Sequence, residues 1–314
     1  MVLVQETMHP RTVENPWIRL PWLMHFQRRD ICFLLLVVVN ILWFHDPLTL
    51  VLASSLDDEY AQHYSHIILI PLLSVYLLYL RRPTIFATVE WSPFLGSILI
   101  AVGGAVSLGT EVPAREVLDS FSPTMLSFVV VCWGAFLFCY GIQAFRAASF
   151  GLGLMAFMVP FPSLVLDAIV GFLQRSSADA VDVLFSTLGT PVVREGFIFK
   201  LSNFTIFVAE ECSGIRSFLA LVITSLVAGH WFLISGWART ALVVVVVPLA
   251  IIKNAFRIVG LTLLANYVDP TYLTDSALHR TGGIPMFLLS LIVLTGVVWL
   301  LRRWESRPAS RMVQ

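Results

Sequence analysis

"VAEECSGIRSFLALVITSLVAGHWF" runs from Val208 to Phe232. From Ile215 onward it is apolar enough, and nearly long enough, to cross the hydrocarbon core of a bilayer. Its first ten residues are of another kind: two carboxylates, a cysteine, Ser-Gly and an arginine. A membrane helix that opens on such a segment poses two questions: whether the rest of the chain is built for lipid, and why a cysteine stands at the entrance.

The composition answers the first. Of 314 residues, 58% are hydrophobic and 13% charged, about half the charge of an ordinary soluble domain. With several long apolar runs, this indicates an all-α polytopic membrane protein. The formal net charge is zero, which gives no support for a nucleic-acid partner. The four cysteines form no disulfide framework. Cys132 and Cys139 lie roughly 10 Å apart along one helix, beyond bridging distance, and with Cys32 they read as inert core residues.

Working outward from Val208, about eight transmembrane helices are expected, near 31–54, 65–80, 93–110, 122–144, 147–162, 213–235, 239–263 and 284–301. Pro71 and Pro160 are expected to distort the second and fifth. An amphipathic segment at 164–189 carries Asp167, Gln174, Arg175, Asp179 and Asp182. It either lies along the membrane surface or forms a further span. With eight spans and a cytoplasmic N-terminus, Arg28, Arg29, Arg81, Arg82, Arg146, Arg239, Arg302 and Arg303 fall inside, as the positive-inside rule requires. Asp57, Asp58, Glu111, Glu195, Glu210 and Glu211 then fall outside. The expected organisation is a cytoplasmic segment 1–30, one membrane domain 31–301 with an extracytoplasmic stretch at about 163–212, and a cytoplasmic tail 302–314. "PVVREGFIFKLSNFTIFVAEE", Pro191 to Glu211, alternates β-branched and aromatic residues with polar ones. This is the pattern of a small hairpin or two short strands, and an open sheet edge belongs outside hydrocarbon. It delivers the chain to Cys212.

Ionisable groups at the ends of spans are costly and usually functional. Cys212 opens the sixth span. There the helix dipole and free N–H groups favour a thiolate, and Ser213 and Gly214 place N–H groups where an oxyanion would form. Glu210 and Glu211 oppose the thiolate, and the bland alternative is a small buried residue beside a polar cap. Arg257 lies 18 residues beyond Arg239, roughly 27 Å along the seventh span and so near its outer end. Asn254 shares its face at i−3, with Lys253 beside it. For Lys253 and Arg257 the alternative is snorkelling to the outer headgroups. His279, followed by Arg280, stands in the outer loop before the eighth span. One topology thus brings a nucleophile, a cation and a base to the same depth, the parts needed for thiol-based acyl transfer. His63 and His66 are too few for a zinc site; His230 reads as a packing residue. No metal or cofactor is expected.

The ordered blocks resemble the exosortase/archaeosortase family of membrane-embedded cysteine transpeptidases, and specifically a bacterial exosortase. "YSHIILIPLLSVYLLYLRRP", the "VPFP" break, "GTPVVREG", "VAEECSGIRSFLALV", "NAFRIVGL" and "LHRTGGI" each resemble a family segment. Ile67 departs from the glycine common after the histidine. The resemblance implies a catalytic Cys212, Arg257 and His279, with Arg280 as alternative because archaeal relatives carry arginine there. It implies substrates that are exported proteins bearing a C-terminal sorting signal: a short Pro-Glu-Pro-like motif, an apolar helix and a basic tail. It places the protein in the cell inner membrane, with both termini cytoplasmic and the active site outside. The rival class is a polytopic transporter or assembly subunit for envelope polysaccharide, in which Arg257 and Lys253 bind an anionic lipid-linked sugar and Cys212 is dispensable.

Overall fold

The computed structural model describes residues 27–56, 64–109, 117–202, 204–269 and 283–306. It is mostly helical, with one small sheet. In chain order the helices are α1 (Arg28–Trp43), α2 (His45–Leu56), α3 (Leu69–Ile85), α4 (Pro93–Leu108), α5 (Val117–Leu154), α6 (Ser163–Thr187), α7 (Ile215–Phe232), α8 (Gly236–Tyr267) and α9 (Gly283–Ser306). Strands β1 (Val193–Glu195), β2 (Ile198–Lys200) and β3 (Thr205–Phe207) lie between α6 and α7. Short 3-10 turns occupy Met155–Met158 and Glu210–Ser213.

By length and composition, four helices among the described residues can cross a membrane, or five if the α1–α2 pair is one span. The chain is therefore a multi-pass membrane protein; the expected count of about eight spans is not confirmed among the described residues. The first expected span is broken, with α1 and α2 bent by 71°. α4 is apolar but shorter than the bilayer demands. α3 begins only at Leu69, after a turn at 65–68, and carries Arg81 and Arg82 in the turn before its end at Ile85. Pro71 sits in the first turn of α3, where its missing N–H costs nothing. It starts that helix rather than distorting it.

The longest candidate, Ser122–Met158, is not one rod. Gly141, inside α5, has φ 82° and ψ 176°. Trp133 Nε1 donates to the Leu152 carbonyl at 2.9 Å, and Ser122 Oγ to that of Pro160 at 2.8 Å. On a straight helix these pairs would stand roughly 28 and 57 Å apart. The chain therefore reverses at Gly141, and α5 is a hairpin of two arms. These arms correspond to the expected helices 122–144 and 147–162, with the turn a few residues earlier. Glu90 N–H donates to Tyr140 and Ser92 N–H to Phe138, so the 90–92 segment closes over the turn. A Cβ at position 141 would stand 2.5 Å from the Glu90 carbonyl oxygen, and only glycine adopts that φ without strain.

The first arm is the centre of the N-terminal half. α1 runs antiparallel to it: Tyr140 donates its hydroxyl to Asp30 at 2.9 Å, Phe33 packs edge-on against Phe136, and Asn40 donates to the Phe128 carbonyl at 3.1 Å. α4 packs on another side so closely that a Cβ at Gly96 or Gly134 would meet Phe138 or Ile100 at 2.5 and 2.8 Å. Without a hydrophobic force between helices in lipid, such close backbone approach supplies the packing. The second arm lies along α3, with Gly151 against Leu78.

α7, α8 and α9 form the other half. Leu221, Leu242, Val246, Ala250 and Leu294 bury their side chains between them. The Glu305 carboxylate near the end of α9 accepts from the Ser235 N–H at 2.8 Å, at the start of α8. Arg239 donates to the Leu233 carbonyl at 2.8 Å, and His230 stacks on Phe150 at 3.7 Å, the packing role expected of it. Arg81 lines a small cavity with His230 and Phe150, while Arg29 reaches the Val89 carbonyl at 3.3 Å. These contacts gather the basic ends of the helices at one end of the bundle. Cys212 stands at the other end, about 27 Å away along the 18-residue α7.

α6 neither lies apart on a surface nor meets the composition of a span. It runs parallel to the second half of α8, with Leu173 near Ile251 and Val181 near Val259. Asp179 and Asp182 are carried at its far end.

Candidate active site

The site is assembled where α6, the sheet, α7 and α8 meet. The sheet is an antiparallel meander in the order β1-β2-β3, with Glu195 opposite Ile198 and Lys200 opposite Thr205. The expected hairpin is thus present, with one strand more. Its inner face rests on α6 and α8 through Phe199 and Ile206, which join a buried group with Phe185, Ala255 and Val259. Arg194 clamps the outer end. Its guanidinium donates to Asp179 at 2.7 Å, lies 3.6 Å from Asp182, and covers the Phe199 ring at 5.6 Å. The spacing of Asp179 and Asp182 puts both carboxylates on one face of α6, so one arginine engages both.

After β3 the chain is held at each step. Gln174 on α6 donates to the Val208 carbonyl at 2.7 Å. Cys212 N–H closes the 3-10 turn on the Ala209 carbonyl at 3.0 Å. Gly214 then adopts φ 79°, ψ 19° and caps α7. Cys212 thus stands on a turn of its own, three residues before Ile215, rather than directly at the helix start as expected. It is half-buried, is in no disulfide, and packs against the group containing Ala255, Ile258 and Val259 of α8. Glu210 is exposed.

Asn254 is the tie between this turn and the bundle. Its side-chain amide donates to the Cys212 carbonyl at 2.7 Å and to Ser177 Oγ of α6 at 3.1 Å. A Cβ at Gly214 would meet its Cγ and Oδ1 at 3.2 Å. Asn254 Oδ1 and Ser213 Oγ are both buried without a hydrogen-bond partner among the described residues, an expensive arrangement concentrated at the cysteine turn. Lys253, 7% exposed, donates its ammonium to Ser217 Oγ. Ser217 in turn donates to the Gly214 carbonyl at 2.9 Å. Lys253 therefore does not snorkel: it braces the cysteine turn from behind. Arg257 lies one turn further along α8, half-buried, within the stretch against which Cys212 packs.

The structure brings together Cys212, Ser213, Gly214 and Asn254, with Arg257 on the adjoining turn. His279 and Arg280 lie outside the described residues, as does His63. Cys132 and Cys139 are buried, as expected. Lys253, weighed in the sequence as functional or snorkelling, joins the site, and Gln174, Ser177 and Ser217 are the contributors that sequence reasoning passed over. Each is a polar residue in an apolar helix, and that was the available signal. Among the described residues, no group of three His, Cys, Asp or Glu side chains is arranged to hold a metal.

Residues 58–296 match the family model for the transmembrane exosortase (Exosortase_EpsH). The chain belongs to this family. The match spans α3 through most of α9 and so includes every element that builds the cysteine turn. The chain has no significant match among curated proteins or solved structures. Exosortase membership agrees with the resemblance carried by the sequence blocks, and it makes a membrane transpeptidase the activity against which the Cys212 turn is to be read.

Proposed function

We propose that this exosortase is a cysteine transpeptidase that cleaves the C-terminal sorting signals of exported proteins at the outer face of the cell inner membrane, with both termini cytoplasmic. The observation that carries the reading is the anchored turn at Cys212. A half-buried cysteine is held by its own carbonyl to a buried asparagine, at the end of α7 away from Arg81 and Arg239. Positioning of this kind is what covalent catalysis demands of a nucleophile.

In the proposed reaction the Cys212 thiolate attacks the scissile carbonyl, and negative charge moves to its oxygen. Arg257 stabilises that charge, together with main-chain N–H groups at Ser213 and Gly214. As the C–N bond breaks, His279, or Arg280 in its place, supplies the proton to the departing amine. A thioester to Cys212 remains. An acceptor nucleophile then attacks the thioester, regenerating the thiol. The residues in hand call for no cofactor or metal. Against the polysaccharide-transport reading stands the position of Lys253: its ammonium is buried and engaged by Ser217, not presented to a lipid-linked anion.

The test is co-expression with an exported reporter ending in Pro-Glu-Pro, a 20-residue apolar helix and three arginines. The wild type is expected to shorten the reporter. Cys212→Ala and Arg257→Ala are expected to accumulate it uncut while still inserting in the membrane. Normal processing by Cys212→Ala would sink the cysteine mechanism.

A further inference from the structure

Among the described residues, the outer edge of β3 has no strand beside it. Phe204 accepts from the Leu201 N–H at 2.9 Å, and Val208 N–H donates to the Phe197 carbonyl at 3.0 Å. Ile206 lies between them, paired with Phe199. In an antiparallel ladder the hydrogen-bonded pairs alternate, so Phe204 and Ile206 turn their main-chain groups toward β2, as Val208 does its N–H. Thr205 and Phe207 turn theirs away. Among the described residues the N–H and C=O of Thr205 and the N–H of Phe207 meet no partner, and both residues are exposed, Phe207 to 61%. Three main-chain groups at strand spacing form a template for another extended chain.

The fourth outward group, the Phe207 carbonyl, accepts from Ala209 N–H at 3.0 Å. This tight turn carries the chain to the outer side of β3, and from Ala209 the turn bearing Cys212 begins. The cysteine turn therefore closes the end of the lane that a fourth strand would occupy. Behind the lane, Ile206 and Phe199 fix the sheet to the bundle, and Arg194 locks its far side to α6. The sheet that carries the edge is tied to both α6 and α8.

We propose that the outer edge of β3 docks an extended peptide as a fourth strand, paired with Thr205 and Phe207, whose backbone is led to Cys212. The inference deepens the proposed reading of the Cys212 site and rests on it for the identity of the peptide as substrate. The groups presented are those of a strand edge, which selects a peptide in extended form over a helix or a sugar. Main-chain pairing also predicts tolerance of side chains at the docked positions, with affinity carried by alternate amides.

The test uses the full chain in detergent and follows alkylation of Cys212 by peptide mapping. The probes are acetyl-Val-Thr-Val-Ala chloromethyl ketone, two isomers of it N-methylated on alternate residues, and chloroacetamide, each normalised to its rate with glutathione. The peptide is expected to label Cys212 at least about tenfold faster than chloroacetamide, the size of two or three net backbone hydrogen bonds. One methylated isomer should keep the acceleration and the other lose it. Thr205→Pro removes an N–H that serves no ladder bond, a change that edge strands accept. It should abolish the acceleration and leave the chloroacetamide rate unchanged, whereas Thr205→Val should retain both. Equal or absent labelling by peptide and chloroacetamide overturns the proposal, as does indifference to Thr205→Pro. A dimer in light scattering that Thr205→Pro dissolves would assign the edge to a second copy and likewise overturn it. Reporter cleavage separates the two readings: acceleration without cleavage retains the edge and sinks the transpeptidase, and cleavage without acceleration does the reverse.

Discussion

Asn254 holds the carbonyl of Cys212 at 2.7 Å and, with the same amide nitrogen, the hydroxyl of Ser177 at 3.1 Å. One side chain from α8 thereby joins α6 to the turn that carries the thiol. Asn254→Asp keeps the shape but replaces the donor by an acceptor, and Asn254→Ala removes both bonds. Each variant is expected to destabilise the protein by about 1–3 kcal/mol, the scale for unmade hydrogen bonds at buried groups, and to slow reporter processing at least about tenfold. Unfolding in detergent followed by tryptophan fluorescence reads the first effect. A time course of reporter shortening reads the second.

Gly214 meets the same asparagine from the other side. An alanine there takes φ 79°, which costs about 1–2 kcal/mol for an L-residue, and sets its Cβ 3.2 Å from Asn254. Gly214→Ala should therefore destabilise the wild type by more than it destabilises Asn254→Ala, where the obstructing side chain is gone. A double-mutant cycle measures the difference. Strict additivity would show that the close contact carries no energy.

The chain has two lysines, Lys200 and Lys253. The side chain of Lys200 is 48% exposed and pairs with Glu195, whereas Lys253 is buried beneath α7. A membrane-impermeant amine reagent is expected to modify Lys200 in the native protein and Lys253 only after denaturation. Equal labelling of both would restore the snorkelling lysine.

Spin labels at Ser122→Cys and Pro160→Cys test the α5 hairpin. A straight helix would separate these positions by roughly 57 Å, and the hairpin brings them within direct contact range. Gly141→Ala should abolish the short distance or the fold itself, because a Cβ there collides with the Glu90 carbonyl oxygen at 2.5 Å.

Much of this architecture was legible in the sequence because its signals are local. The alternation in Pro191–Glu211 marked the sheet, and the apolar runs 122–144 and 147–162 marked two arms, although the divide was set beside Arg146 and the chain reverses at Gly141. The first expected span shows where the reading fell short: α1 and α2 part at Phe44, and His45, Asp46 and Pro47 directly after it carried the polar and proline signal of a break. At the site, Cys212, Gly214 and Asn254 stood out by type and spacing. For Lys253 the sequence left snorkelling and function both open because burial is a tertiary property: a base on an apolar helix looks the same whether it faces headgroups or Ser217. The proposed third catalytic position, His279 or Arg280, lies outside the described residues.

The one-residue reversal at Gly141 bears on how the chain is made. Two arms joined without a loop offer no stretch that can wait in the aqueous phase while the second is synthesised. The membrane-insertion machinery must release them as a pair. The segment that closes over their turn, at Glu90 and Ser92, leaves the ribosome first, so the receiving surface for the pair is already in place when it arrives.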